Sequence, residues 1–481
     1  MLASLIAPDS AVAIVLQILI ILGALLLGTR YGGLGLGLIS GIGLMLMVFL
    51  FGLAPGEPPV SVMLTIIAVI GCAATLQQAR GLEVMMQFAE KILRAHPERV
   101  TILAPITTWF LTVLCGTGHV VYTMFPIIED IALKKGIRPE RPMAVSSTSA
   151  QMGITASPVS VATVSLASIL AEHAGVIDKA YSIPQILMVA IPASLSGVIL
   201  AALWSLRRGK DLDKDPVFQE RLKDPEFAKS IQDSSHSLIG QTFSPEAKRS
   251  VVIFLVAIAS VVLLGAFEFL RPLVPGEDGK LSPVSMNLVI QMVMLVAGAI
   301  ILLTCKVDHK KIASTQVFKA GMTAVFSVFG VAWMADTFFQ SHLDALKAGL
   351  GDVVAAAPWA YAVALLIVSK LVNSQAAALV AIAPIGLQLG IDPAIIVGFY
   401  GAAYGYFILP TYPSDLACIG FDRTGTTRIG KFVINHSFII PGFISVHHLV
   451  RGGHRPGPGT SAVAARQLRL RTPACRPVSG R

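Results

Sequence analysis

The chain has 481 residues, 54% of them hydrophobic and 14% charged, with a mean hydropathy of +0.73; soluble domains carry roughly 25% charge, so an ordinary water-exposed surface is excluded. The net charge of +9 does not point to nucleic acid. Arg451, Arg455, Arg466, Arg469, Arg471, Arg476 and Arg481 lie in a terminal stretch without Asp or Glu, leaving 30 of the 37 basic residues against 28 acidic ones, and no basic groove with interleaved aromatics is present. The five cysteines are scattered without CxxC spacing, so no disulfide framework, metal cluster or cofactor is expected.

In chain order, charge-free apolar stretches cover 12–27, 32–53, 183–203, 251–264 and 286–303. About 20 apolar residues suffice to cross a bilayer, so these read as spans. The first ten residues hold no Lys or Arg, and the first run therefore reads as a permanent span, not a cleaved leader. Two successive gaps are basic: 77–100, with Arg80, Lys91, Arg94 and Arg99, and 129–142, with Lys134, Lys135, Arg138 and Arg141. Basic loops face the cytoplasm. Segment 101–128 then enters and leaves on one side, as a re-entrant hairpin broken at Gly116-Thr117-Gly118, and the N-terminus is periplasmic. Spans at 143–170 and 183–206 follow, then the charged loop 207–250, expected as a cytoplasmic linker.

The second half gives spans at 251–270, 286–303 and 320–338. A hairpin at 359–387, broken at Asn373-Ser374-Gln375, enters from the opposite side. A broken span at 395–418 and a last span from Phe432 complete it. The halves align: Gly116 to Pro126 matches Ser374 to Pro384 in spacing, and Val60 to Gly116 matches Phe318 to Ser374. Five crossings per half turn the second copy upside down, a common carrier architecture. The expected fold class is an all-α polytopic membrane protein, an inverted repeat of five spans plus one re-entrant hairpin per half. The repeats are 1–206 and 251–446. Residues 447–481 form an atypical basic tail, read as a frameshift or mis-called terminus near His447 against a natural disordered tail.

Chemistry is expected where helices break. Non-helical backbone at membrane depth persists only where protein or a cavity covers it, and a half-helix starting there offers free N–H groups and a positive dipole end to an anion. Thr117 is placed to cap the half-helix near His119, and Asn373 or Ser374 the one near Ala376. Ser157 is placed as N-cap ahead of Pro158, close to Thr155. Thr411, Ser414 and Asp415 surround the partner break between Pro410 and Pro413. Lys370 lies one turn before Asn373; with Asp415 it is either a substrate contact or a fold-holding ion pair, since intramembrane charges are functional candidates by default. His119 reads as ligand donor, proton carrier or satisfied core histidine. Tyr122, Tyr404, Tyr406 and Tyr412 line a polar cavity or anchor at the interface. The candidate substrate-binding set is Gly116, Thr117, Gly118, His119, Thr155, Ser157, Lys370, Asn373, Ser374, Gln375, Thr411, Ser414 and Asp415. No GxxxxGK[ST] loop occurs, so ATP drive is not expected. The glycines at 32–37 read as helix packing, and Glu90 with Arg94 as part of an amphipathic surface helix.

Six runs carry a family resemblance: LCGTGHVVYT at 114–123, IRPERP at 137–142, QMGITASPVS at 151–160, SKLVNSQAAA at 369–378, ILPTYPSDL at 408–416 and RTGTTRIGKF at 423–432. Over about 20 to 445 the chain resembles the anaerobic C4-dicarboxylate transporter family (Dcu), on its DcuB-like branch. Residues 447–481 do not match it. The resemblance implies an ion-transporter-like fold, no enzyme activity, and electroneutral exchange of fumarate, malate or aspartate for succinate across the bacterial inner membrane. In some members it implies partnership with a membrane sensor kinase; a homo-oligomer is left open. Alternatives are a sodium- or proton-coupled carrier for other organic anions, a polytopic membrane enzyme and a channel. His119, His236, His309 and His342 are too scattered for the enzyme, and two occluding hairpins disfavour the channel.

Overall fold

The structure, a computed structural model, describes residues 10–31, 33–172, 181–232, 237–275, 281–357, 359–410, 412–431 and 434–453. Helices dominate. They open with α1 (Ala11–Tyr31), α2 (Gly33–Phe51) and α3 (Val60–Gln78), followed by the amphipathic α4 (Gly81–Ala95). A helix pair, α5 (Val100–Cys115) and α6 (Val121–Lys134), is joined through a single 3-10 turn at Gly118–Val120. Next come α7 (Glu140–Thr155), α8 (Val161–Glu172) and α9 (Ile183–Ser205). The short α10 (Pro216–Arg221) and α11 (Pro225–Gln232) precede α12 (Pro245–Ala266).

A two-stranded antiparallel ribbon, β1 (Leu273–Pro275) with β2 (Leu281–Pro283), leads from α12 to α13 (Met286–Thr304). The sequence gives no warning of it. One turn, α14 (His309–Ile312), precedes α15 (Gln316–Ala356). A second helix pair, α16 (Trp359–Val372) and α17 (Gln375–Gln388), is followed by α18 (Pro393–Gly398), two 3-10 turns, α19 (Pro413–Phe421) and α20 (Ile439–Gly453).

Among the described residues eight helical segments are long and apolar enough to cross a membrane, in α1, α2, α3, α5, α9, α12, α13 and α15. Leu303 is 83% exposed and Phe49 74%. Such surfaces are disfavoured in water and suit acyl chains. The fold is that of an all-α polytopic membrane protein. Its centre is polar: α7 has fourteen of sixteen residues buried, including Ser146, Ser147, Thr148, Ser149 and Gln151.

Three expectations need correction. α15 runs 41 residues, far beyond 320–338, because no proline stops it before Pro358. The segment 207–250 is also anchored: Arg138 Nη1 meets Asp215 Oδ2 at 2.6 Å, Arg141 Nη1 meets Asp211 Oδ1 at 2.6 Å, and Leu212 and Phe218 are buried. Glu90 is not on the surface; it is fully buried, paired with Arg94 at 2.7 Å, and accepts from Ser237 Oγ (2.6 Å) and Leu238 N (2.7 Å). The last helix starts at Ile439, after an isolated antiparallel bridge between Ile429 and His436 and a turn at Ser437–Phe438. Residues 454–481 lie outside the described residues.

The glycine run does pack helices. A Cβ on Gly37 would sit 2.0 Å from Phe326 O, and one on Gly330 2.0 Å from Gly37 O. α2 and α15 therefore touch backbone to backbone, as small residues allow within membranes. Polar pairs tie α13 to α3: Asn287 Nδ2 donates to Ser61 Oγ (3.0 Å) and Gln291 Nε2 to Thr65 Oγ1 (2.9 Å).

Candidate functional site

Each helix pair is broken by local chemistry. α5 ends at Gly116, whose φ of +71° is readily reached only by glycine. A Cβ there would also lie 2.8 Å from Val159 O, so the first tip rests on the α7–α8 break. Thr117 Oγ1 accepts from His119 N at 3.3 Å and caps the turn leading into α6. At the second tip, Asn373 takes φ +50° and Ser374 Oγ accepts from Ala377 N at 3.3 Å. Ser374 is therefore the cap, and Asn373 is the residue that turns the chain.

The α7–α8 break departs from expectation. Ser157 Oγ accepts only from Val159 N (3.3 Å), and the residue capping α8 is Ser160, whose Oγ accepts from Thr163 N at 3.1 Å. Pro158 fixes one φ, but turns continue through Ser160 before regular bonding resumes. Thr155 is buried and donates its proton back to Met152 O at 2.7 Å.

The four interruptions meet around Gln151, in the last two turns of α7. Gln375 Nε2, from the second tip, donates to Gln151 O at 2.9 Å. Tyr406, from the 3-10 turn before the last break, donates its hydroxyl to Gln151 Oε1 at 2.7 Å. A Cβ on Gly118 would lie 2.7 Å from Gln151 Nε2, so a side chain at the first tip would displace the Gln151 amide. One helical turn away, Ser147 Oγ donates to Asp415 Oδ1 at 2.7 Å and lies 3.1 Å from the Ser414 hydroxyl, from which it accepts. Side chains four residues apart share a helix face, which is why Ser147 and Gln151 both look into the same centre.

Three buried groups at this centre have no hydrogen-bond partner: Gln151 Nε2, Asp415 Oδ2 and Tyr404 Oη. Buried polar groups are nearly always satisfied, and each orphan costs about 1–3 kcal/mol. These orphans lie between the two helix caps. Lys370, half-buried, donates to Asn373 Oδ1 (3.1 Å) and Leu409 O (3.3 Å), and its charge acts on Asp415. The rings of Tyr406 and Tyr412 lie 4.4 Å apart, and those of Tyr404 and Tyr406 4.8 Å. His119 meets Tyr122 edge-on at 5.8 Å. Thr411 lies outside the described residues.

Sequence reading missed Ser147 and Gln151. The signal was there: four hydroxyl residues in a row at 146–149 and a glutamine at 151, inside a segment otherwise read as a span.

The model of the family described as "Anaerobic c4-dicarboxylate membrane transporter" matches residues 13–454. The chain belongs to this family. It is 52% identical over 437 residues to "Anaerobic C4-dicarboxylate transporter DcuB" of Escherichia coli O6:H1, covering 90% of this chain and 95% of that one. It is 38% identical over 441 residues to "C4-dicarboxylate transporter DcuA" of Wolinella succinogenes, with 90% and 96% covered. Among solved structures it is similar to the Alcanivorax borkumensis YdaH transporter, with a TM-score of 0.49, 15% identity, and 96% and 90% of the two chains covered; that likeness is too weak to carry weight. The match runs through Ile439–Gly453, so α20 falls within the Dcu family region, past the point near 445 where the resemblance was expected to end.

Proposed function

We propose that this family member is a secondary carrier of the bacterial inner membrane that exchanges fumarate, malate or aspartate for succinate in anaerobic respiration. The supporting observation is the convergence of both helix tips and both helix breaks on Gln151 and Asp415, with donors and acceptors left unpaired. A dianionic cargo suits this centre. The caps at Thr117 and Ser374 start half-helices whose positive ends favour carboxylates. The free Gln151 Nε2 and Tyr404 hydroxyl supply further donors, and Lys370 offsets Asp415. Swapping one dianion for another moves no net charge.

The architecture proposed is an inverted repeat about the segment 207–250, with α5–α6 and α16–α17 as re-entrant pairs. The face carrying Arg138, Arg208 and the 207–250 segment is cytoplasmic by its excess of basic residues, and the N-terminus is periplasmic. Alternating access then shifts the binding elements against the remaining helices. A membrane sensor kinase is a proposed partner, suggested by the family resemblance alone, and a second copy of the chain is another; co-purification from native membranes tests both.

The competing reading is a sodium- or proton-coupled carrier of other organic anions. Proteoliposomes holding the purified chain separate the two. Fumarate uptake is expected to require internal succinate and no cation gradient. Uptake into empty vesicles driven by sodium or protons would overturn exchange.

A further inference from the structure

Away from the centre, a polar cavity of about 550 Å³ opens at the N-terminal end of α7. Its walls include Arg138, Glu140, Arg208, Arg428, Lys431 and His436. Glu140 is almost fully buried and saturated: Arg138 Nε and Arg208 Nε each donate to it at 2.8 Å, and Ser437 Oγ at 2.6 Å. Arg138 also holds Asp215 at 2.6 Å. Two carboxylates thus offset two of the four cations. Arg428 and Lys431 are exposed and make no ion pair among the described residues. The cavity keeps a surplus of two positive charges.

One residue of its wall is bonded to the chain that leads to the central site. His436 Nδ1 accepts from Phe438 N at 3.2 Å, so Nε2 is the donor to Ile408 O at 3.2 Å. Ile408 follows Tyr406, which bonds Gln151, by two residues. Glu140 and Gln151 stand on the same helix, eleven residues apart, or about 16 Å at 1.5 Å per residue.

We infer that this cavity is a second binding station for a dianionic carboxylate, a basic vestibule that collects cargo on one face of the membrane before it reaches the centre. The charge surplus matches a dicarboxylate, and a concave site lined by one sign of charge concentrates counter-ions and speeds their capture. The inference rests on the carrier reading above. It adds that affinity for cargo differs between the two faces for a reason remote from the central residues.

The test uses the full chain in right-side-out and inside-out membrane vesicles. The variant carries Arg428→Gln and Lys431→Gln; a charge-matched control carries Lys310→Gln and Lys319→Gln, exposed residues outside the cavity. At low ionic strength the cavity variant is expected to raise the succinate KM about five- to tenfold on the vestibule face, an effect that added salt erases. The ratio of KM between faces shifts accordingly, and the control leaves that ratio alone. An equal rise on both faces, no rise, or the same shift in the control would overturn the vestibule. A second measurement needs no transport. With Cys475→Ser removing one thiol, Lys431→Cys is expected to react with an impermeant anionic thiol reagent and to be protected by succinate. Absence of protection overturns the proposal even if wild-type vesicles exchange nothing, an outcome that would sink the carrier reading separately.

Discussion

Ser147 Oγ donates a 2.7 Å hydrogen bond to Asp415 Oδ1, while Asp415 Oδ2 is buried without a partner. One side of the carboxylate is thus fixed to α7. Ser147→Ala removes the only side-chain hydrogen bond to Asp415 among the described residues. A lost bond to a charged group costs about 1.5–3 kcal/mol, so a tenfold or greater fall in exchange kcat/KM is expected, with Ser147→Thr restoring most of it. Initial rates of fumarate uptake into succinate-loaded proteoliposomes check this. Unchanged rates in Ser147→Ala would remove that bond from the working site.

Gln151 is the residue on which the interruptions converge. Gln151→Ala leaves the Tyr406 hydroxyl without its acceptor and deletes a free donor. A rise in KM of roughly tenfold is expected, equivalent to about 1.4 kcal/mol. Gln151→Glu keeps the shape and the acceptor but sets a negative charge beside a dianion, and exchange is expected to be lost altogether. Equal behaviour of the two variants would show that this side chain only packs.

The caps at the tips are separable from the rest of the fold. Thr117→Ala and Ser374→Ala each remove one acceptor for a backbone N–H, worth about 1 kcal/mol. Each is expected to raise the exchange KM about fivefold, and Thr117→Ser is expected to match the parent. If both alanine variants keep parental kinetics, the helix starts do not hold cargo.

Glu90 works on the segment 207–250. Its carboxylate takes Ser237 Oγ and Leu238 N, and Gln87 Nε2 donates to Leu238 O at 2.7 Å and Gln241 O at 2.8 Å. Glu90→Ala strands Ser237 Oγ and Leu238 N and leaves Arg94 with Asp130 alone (3.0 Å), at a cost of about 3 kcal/mol for a broken buried pair. Faster cleavage within 207–250 under limited proteolysis and a lower Tm in detergent are expected. Glu90→Gln, which keeps one acceptor, is expected to fall between.

Much of this was legible from residues alone. Charge-free runs place α1, α2, α9, α12 and α13 because a bilayer punishes charge at every depth. Gly116 and Asn373-Ser374 mark the helix tips because left-handed turns and caps use few residue types. What escaped depends on neighbours. Ser147 and Gln151 sit in an unbroken helix, and only contacts from distant segments show that they face the centre. Ser157 looks like a cap from its proline, yet the turn extends to Ser160, a choice settled by three-dimensional packing. Glu90 appears solvated on the helix pattern, and it is buried by a stretch some 150 residues later whose arrival no local signal announces.

The contact between Gly37 and Gly330 carries a consequence for motion. Where two helices meet without intervening side chains, there are no rotamers to rearrange and no lubricating layer, so α2 and α15 are expected to travel as a single rigid strut. The second tip and the turn before the last break are seated differently, on Gln151, through single hydrogen bonds from Gln375 and Tyr406 that break and re-form cheaply. The work of opening is expected to fall on that weaker joint, with the glycine seam serving as the fixed post against which it swings.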